Sequence, residues 1–198
     1  MAGAEPTKTG LRRLARMEII LLILCLYLAW KAPNFLTVNN LLTVLRSISM
    51  QGLIAFGMTL VIIIGEIDLS VGATASFAGC LIAYLTQRGL PLPLGGALTL
   101  GMGWLLGAFT AGMRSLYQVP SFITTLALLT GLKGAALTLT GGFSITSFPS
   151  WYAYLGSGYL WGIPFPSVVL FLAFVGFEIV STRTRFGRAV YAAGGNPE

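Results

Sequence analysis

The chain has 198 residues, 56% hydrophobic and 9% charged, against roughly 25% charged in an ordinary soluble domain, so too few ionisable groups remain to cover a water-facing surface and lipid is the expected principal solvent. Histidine is absent, which excludes Ser-His and Cys-His nucleophilic pairs, histidine general bases and histidine-ligated metals. The net charge of +6 comes from basic residues that flank apolar runs and form no patch with interleaved aromatics, so topology explains it better than nucleic acid does.

Residues 1–16 are polar and basic, carrying Lys8, Arg12, Arg13 and Arg16, and read as a cytoplasmic N-terminal tail. The apolar run 19–30 closes with Tyr27 and Trp30, then Lys31 and Pro33. A signal peptide would close with a small-residue cleavage site, whereas these aromatics suit an interfacial anchor, so the run reads as a short or tilted first span. Further apolar runs cover 41–65, 69–86, 92–113, 119–140 and 165–181, each about the length that crosses a hydrocarbon core of roughly 30 Å. The expected fold is all-α: a polytopic transmembrane helix bundle of about six spans with both termini cytoplasmic. That orientation places Lys8, Arg12, Arg13, Arg16, Arg114, Arg183, Arg185 and Arg188 inside and only Lys31 and Arg88 outside, as the positive-inside rule requires.

Within the spans, small residues recur every four positions at Gly72, Ser76 and Cys80, and again at Gly103, Gly107 and Ala111, a spacing that predicts close helix contacts. Cys25 and Cys80 lie in apolar runs without CxxC or metal-ligand spacing and read as packing residues. Arg46 and Lys133 are charges inside apolar runs, which either snorkel to the outer interface or line a polar pathway. Glu178, near the inner end of the last span, is expected to pair with a basic neighbour such as Arg183. The segment Gly65-Glu66-Ile67-Asp68-Leu69-Ser70-Val71-Gly72 carries two carboxylates without a nucleophile or histidine. It reads as a helix turn, with Asp68 or Ser70 capping the third helix. Val119-Pro120-Ser121 opens the fifth span with proline in the first turn. Residues 141–164 are uncharged and rich in aromatics (Trp151, Tyr152, Tyr154, Tyr159 and Trp161), which suits an outer connection lying at the membrane face or a pathway mouth. The closing stretch is basic and rich in small residues, and its Asn196-Pro197-Glu198 would start a new helix, with Asn196 as N-cap. A chain stopping at a helix start reads as a fragment or a truncated product.

These segments together resemble the permease subunit of bacterial ABC sugar importers, the group of ribose, xylose and arabinose permeases. The resemblance rests on Asn34-Phe35-Leu36-Thr37 with Asn40-Leu41, on Gly65 to Gly72, on Val119-Pro120-Ser121 through Leu126, and on Phe186-Gly187-Arg188 through Glu198. The second motif is usually Gly-Gly-Ile-Asp-Leu-Ser, so Glu66 departs from it. The resemblance implies a single permease domain over 1–198, the N-terminal part of a longer family fold. It implies that 184–198 begins the cytoplasmic coupling region, with Arg185, Gly187, Arg188, Gly195, Asn196, Pro197 and Glu198 approaching the ATPase, and that Gly65, Asp68, Leu69, Ser70, Gly72, Pro120 and Ser121 carry the family pattern. The implied partners are an ABC ATPase subunit, a periplasmic sugar-binding protein and a second permease copy in the cytoplasmic membrane, with monosaccharide transport by alternating access. The chain has no Walker-type phosphate loop, so ATP hydrolysis falls to a partner, and no catalytic residue, cofactor or metal is expected. A secondary transporter or channel using Arg46, Lys133 or Glu178 is the competing reading. An intramembrane enzyme would need a Ser-Lys or carboxylate pair, and no convincing one is present.

Overall fold

A computed structural model describes residues 8–146 and 148–195, with side chains from residue 17. The elements are α1 (Lys8–Lys31), α2 (Val38–Ile63), α3 (Val71–Gln87), α4 (Leu92–Tyr117), α5 (Ser121–Thr140), α6 (Ser150–Ser157), β1 (Tyr159–Leu160), β2 (Ile163–Pro164), α7 (Phe165–Arg183) and α8 (Arg185–Gly195). The architecture is all-α apart from that one small hairpin. Among the described residues, α2, α4, α5 and α7 are long and apolar enough to cross a membrane, while α3 is apolar but shorter, with 17 residues. The expected tail 1–16 is already helical from Lys8, because the apolar run behind it continues the same helix.

The chain divides between Ser47 and Ile48 into two units. In the first, α1 stops at Lys31, whose charge suits the negative end of the helix dipole and lies 4.7 Å from the Trp30 ring centre. The Asn-Phe-Leu-Thr motif then builds the turn into α2. The Thr37 hydroxyl donates to the Asn34 carbonyl at 2.8 Å and accepts the Asn40 N–H at 3.4 Å, and the Asn40 amide donates to the Phe35 carbonyl at 2.8 Å. Thr37 thereby caps α2.

In the second unit, α3 packs against both α4 and α5. The α3 face is built of alanines, Ala73 and Ala83 being buried, and the α5 face of Thr125, Leu132 and Ala136, so backbones approach closely as membrane helices require. The α3–α4 contact uses Gly95, where a Cβ would sit 3.6 Å from Ile82. The stripes expected to make such contacts do not: a side chain at Gly72, Gly103 or Gly107 would meet nothing within 4 Å. Their small size opens space instead of closing it. A further seam joins α2 to α7. The fully buried Ser49 donates to the Ser167 hydroxyl at 2.9 Å, Gly52 admits Leu170, and Phe56 stacks on Phe177 at 5.1 Å between centroids.

The connection 141–164 has structure of its own. Trp161 and Gly162 both take positive φ, 51° and 82°, as a two-residue mirror-image turn requires, and so pair Tyr159 with Pro164 and Leu160 with Ile163. The Tyr154 hydroxyl, carried on α6, donates to the Tyr159 carbonyl at 2.8 Å. Glu178 forms no ion pair with Arg183: its carboxylate is exposed on α7, and its carbonyl accepts from Ser181 and Thr182. Asn196, Pro197 and Glu198 lie outside the described residues. The stretch before them, read as a lead-in to a helix, is itself the helix α8, capped by Thr184, whose hydroxyl accepts the Gly187 N–H at 3.2 Å.

Candidate functional site

The site begins where α2 ends. Gly65 takes φ 78°, its N–H donates to the Ile62 carbonyl and the Glu66 N–H to the Val61 carbonyl, the double bond pattern of a glycine-ended helix. A side chain would be strained at that φ, which gives the first glycine of the motif its physical reason. Asp68 then folds back over the next residues: its Oδ1 accepts both the backbone N–H and the hydroxyl of Ser70 at 2.7 Å. This corrects the expected cap. Ser70 occupies the N-cap position of α3, but its hydroxyl is spent on Asp68 and gives the helix no side-chain cap.

Beside this connection run the end of α4 and the start of α5. Gln118 ends α4 at φ 55°, with its N–H and that of Val119 both donating to the Met113 carbonyl. This tight reversal sets Arg114 next to Ser121. Pro120 stands at the N-cap position, one residue earlier than expected, and Ser121 opens the helix. Ser121 is more than a helix start: its hydroxyl accepts the Ile67 N–H at 3.2 Å, and one turn on, the buried Thr125 hydroxyl lies 3.4 Å from the Ile67 carbonyl and 3.3 Å from its own Phe122 carbonyl.

Glu66 closes the arrangement. Arg114 Nε donates to its Oε1 at 2.6 Å, the one salt bridge among the described residues. A hydrogen bond from the Ser121 hydroxyl, and then the Arg114 guanidinium, hold the Glu66 carboxyl below the usual carboxylate range, while partial burial pushes the other way. With side chains 52% and 25% exposed, such a pair contributes about 0–1 kcal/mol. It fixes position more than it adds stability.

Above the pair, α3, α4 and α5 enclose a cavity of about 420 Å³. Its wall on α4 is the Gly103, Gly107, Ala111 stripe. Ser70, Thr74, Thr110 and Thr125 interrupt an otherwise apolar lining, and Glu66, Asp68, Arg114 and Ser121 also border it. A mostly apolar concavity with a few convergent polar groups is the usual form of a small-molecule site.

Of the residues singled out in the sequence, Asp68, Ser70 and Ser121 meet at this cavity. Gly65 and Pro120 border a smaller hollow sharing Glu66, Arg114 and Ser121. Leu69 is exposed, and Gly72 faces open space. Lys133 is exposed on α5 and Arg46 half-buried on α2, and neither lines the cavity. Arg185 and Arg188 are exposed on α8, whereas Gly187 is buried and Gly195 meets nothing. Arg114 entered the sequence reading only as a topology marker. Its partner is 48 residues away, and the available clue was Glu66, an acid in place of a motif glycine in a chain with few acids.

Known proteins align along this whole arrangement. The family model described as branched-chain amino acid transport system / permease component matches residues 40–198. The ribose import permease of Haemophilus influenzae is 36% identical over 185 residues, covering 91% of this chain and 57% of that protein. The ribose import permease of Bacillus subtilis is 39% identical over 178 residues, covering 89% and 55%. The xylose transport system permease of Escherichia coli is 27% identical over 265 residues, covering 98% and 67%. The chain thus spans little more than half the length of these ribose permeases. No solved structure matches it. Since the family model takes in every element from α2 to α8, including the Gly65–Ser70 connection and the cavity it closes, the chain belongs to the permease family described as the branched-chain amino acid transport system / permease component.

Proposed function

We propose that the chain is membrane subunit sequence of an ATP-driven ABC importer, moving a monosaccharide of the ribose or xylose type across the bacterial cytoplasmic membrane by alternating access. It works as one of a pair of permeases, with a periplasmic sugar-binding protein outside and an ABC ATPase inside, all six apolar helices spanning and both ends cytoplasmic. The observation that carries this reading is the alignment of nine-tenths of the chain with a ribose import permease. The cavity is compatible with it: a mostly apolar concavity with a few polar groups is of a size to take a small molecule.

The α8 helix supports the ATPase contact. Arg185 and Arg188 stand in its first turn, exposed, where the helix dipole disfavours cations. Basic residues held there, facing outward, suit an acidic surface on a partner. The competing ion-coupled carrier draws no support from Lys133, which is exposed away from the cavity, or from Glu178, which is exposed on α7. With an Arg188→Cys variant co-expressed with an ABC ATPase encoded beside it, efficient crosslinking to the nucleotide-binding subunit is expected. Labelling of that cysteine from outside the cell, with no ATPase adduct, would overturn both the coupling role and the orientation.

A further inference from the structure

The inner face of α8 is made of backbone. Gly187, Val190 and Gly194 share one stripe, and both glycines are in contact with other chain segments: a Cβ on Gly187 would fall on the Ser181 carbonyl at the end of α7, and one on Gly194 would fall on the Ile63 carbonyl and lie 3.4 Å from the Ile64 Cα. Ile63 is the last residue of α2. Two residues on, Gly65 turns the chain, and at the third Glu66 grips Arg114 at the border of the cavity. Ile67 is pinned to Ser121 and Thr125 on α5. From α8 to the cavity there is therefore an unbroken line of contact only four residues long, Ile63 to Glu66, without a flexible side chain in the first step.

We propose that this line is a relay: pressure on α8 displaces the end of α2, parts Glu66 from Arg114 and widens the cavity there, so that the pair acts as a latch set by the position of α8. The proposal rests on the reading of the cavity as a passage and adds its regulation. The pair suits the task because both side chains are partly exposed, Arg114 more than Glu66, so water competes for them once they separate. Contacts arranged in a line do not by themselves establish coupling; interaction between substitutions at its two ends does.

The test uses the full chain in lipid vesicles without any ATPase, with Cys25→Ser and Cys80→Ser, and a reporter Thr110→Cys on the cavity wall read by its rate of reaction with a water-soluble maleimide. Gly194→Val, which pushes on Ile63, is expected to raise that rate about tenfold, the scale of coupling between contacting residues. Glu66→Gln is expected to do the same, and the two together no more than either alone. Gly176→Ala on α7, which meets nothing, leaves the rate unchanged. A rate for Gly194→Val equal to that of Gly176→Ala, or effects that multiply, overturns the relay. Because Gly194→Val also strains the fold, the reciprocal measurement leaves α8 intact: Glu66→Gln is expected to speed tryptic cleavage after Arg185 and Arg188 relative to Arg88, and unchanged cleavage overturns the relay equally. Failed crosslinking to an ATPase with these results intact removes the coupling reading alone; successful crosslinking with unchanged labelling removes the relay alone.

Discussion

Thr124 and Thr125 are adjacent, both buried, and opposite in consequence. Thr125 ties α5 to the Ile67 carbonyl, whereas the Thr124 hydroxyl has no hydrogen-bond partner among the described residues. A buried hydroxyl left unpaired costs about 1–3 kcal/mol, and a satisfied bond contributes about 0.5–1.5 kcal/mol. Replacing each with the isosteric valine separates these terms. Thr124→Val is expected to raise the midpoint of thermal unfolding in detergent, while Thr125→Val lowers it and frees the Gly65–Ser70 connection. A lowered midpoint for Thr124→Val would show that its hydroxyl is satisfied in the membrane.

At the level of helices, glycine has two unlike uses that periodicity cannot distinguish. Gly52 sits where a Cβ would approach Leu170 to 2.7 Å, so bulk there separates α2 from α7; Gly107 faces the cavity, where nothing lies within 4 Å. Overpacking costs about 1–3 kcal/mol, whereas Gly→Ala in an open helix interior gains up to about 1 kcal/mol of helix propensity. Gly52→Leu is thus expected to lower thermal stability, and Gly107→Ala to keep or raise it. On the proposed importer function, Gly107→Leu is expected to fold and to block the cavity, read as lost sugar uptake in the importer assembled with its partners; normal uptake would overturn the cavity as the passage. The same two uses explain what was legible in advance. The helices stood out because apolar length and interrupting Gly, Pro and Asp residues are local signals. The role of the Gly103 stripe depended on which helix came alongside, and the Glu66–Arg114 pair joined distant segments, so neither had a local signature. The cap expected from Asp68 or Ser70 is not formed, because the two side chains bond to each other.

Across the whole molecule, the apolar surface decides the solvent. Ile19 to Leu24 on α1, Leu100, Trp104 and Leu105 on α4, and Phe171 and Leu172 on α7 are all more than half exposed except Leu24, which is 50% exposed, surface that only lipid or neighbouring membrane helices can cover favourably. The unequal distribution of basic residues is the ground for the proposed orientation. In whole cells, Arg88→Cys in a background without Cys25 and Cys80 is expected to react with a membrane-impermeant thiol reagent, while Arg185→Cys reacts only after permeabilisation. The reverse pattern would invert the orientation of the chain.

The way α8 is attached leads to one more conclusion. A helix fastened through glycines and main-chain carbonyls has an anchorage indifferent to side-chain identity elsewhere on its circumference. Arg185, Arg188, Ala189 and Ala192 on the outward arc can be exchanged as a set while Gly187 and Gly194 stay in place. If that face meets the ATPase as proposed, its contacts can be altered without redesigning the helices beneath it.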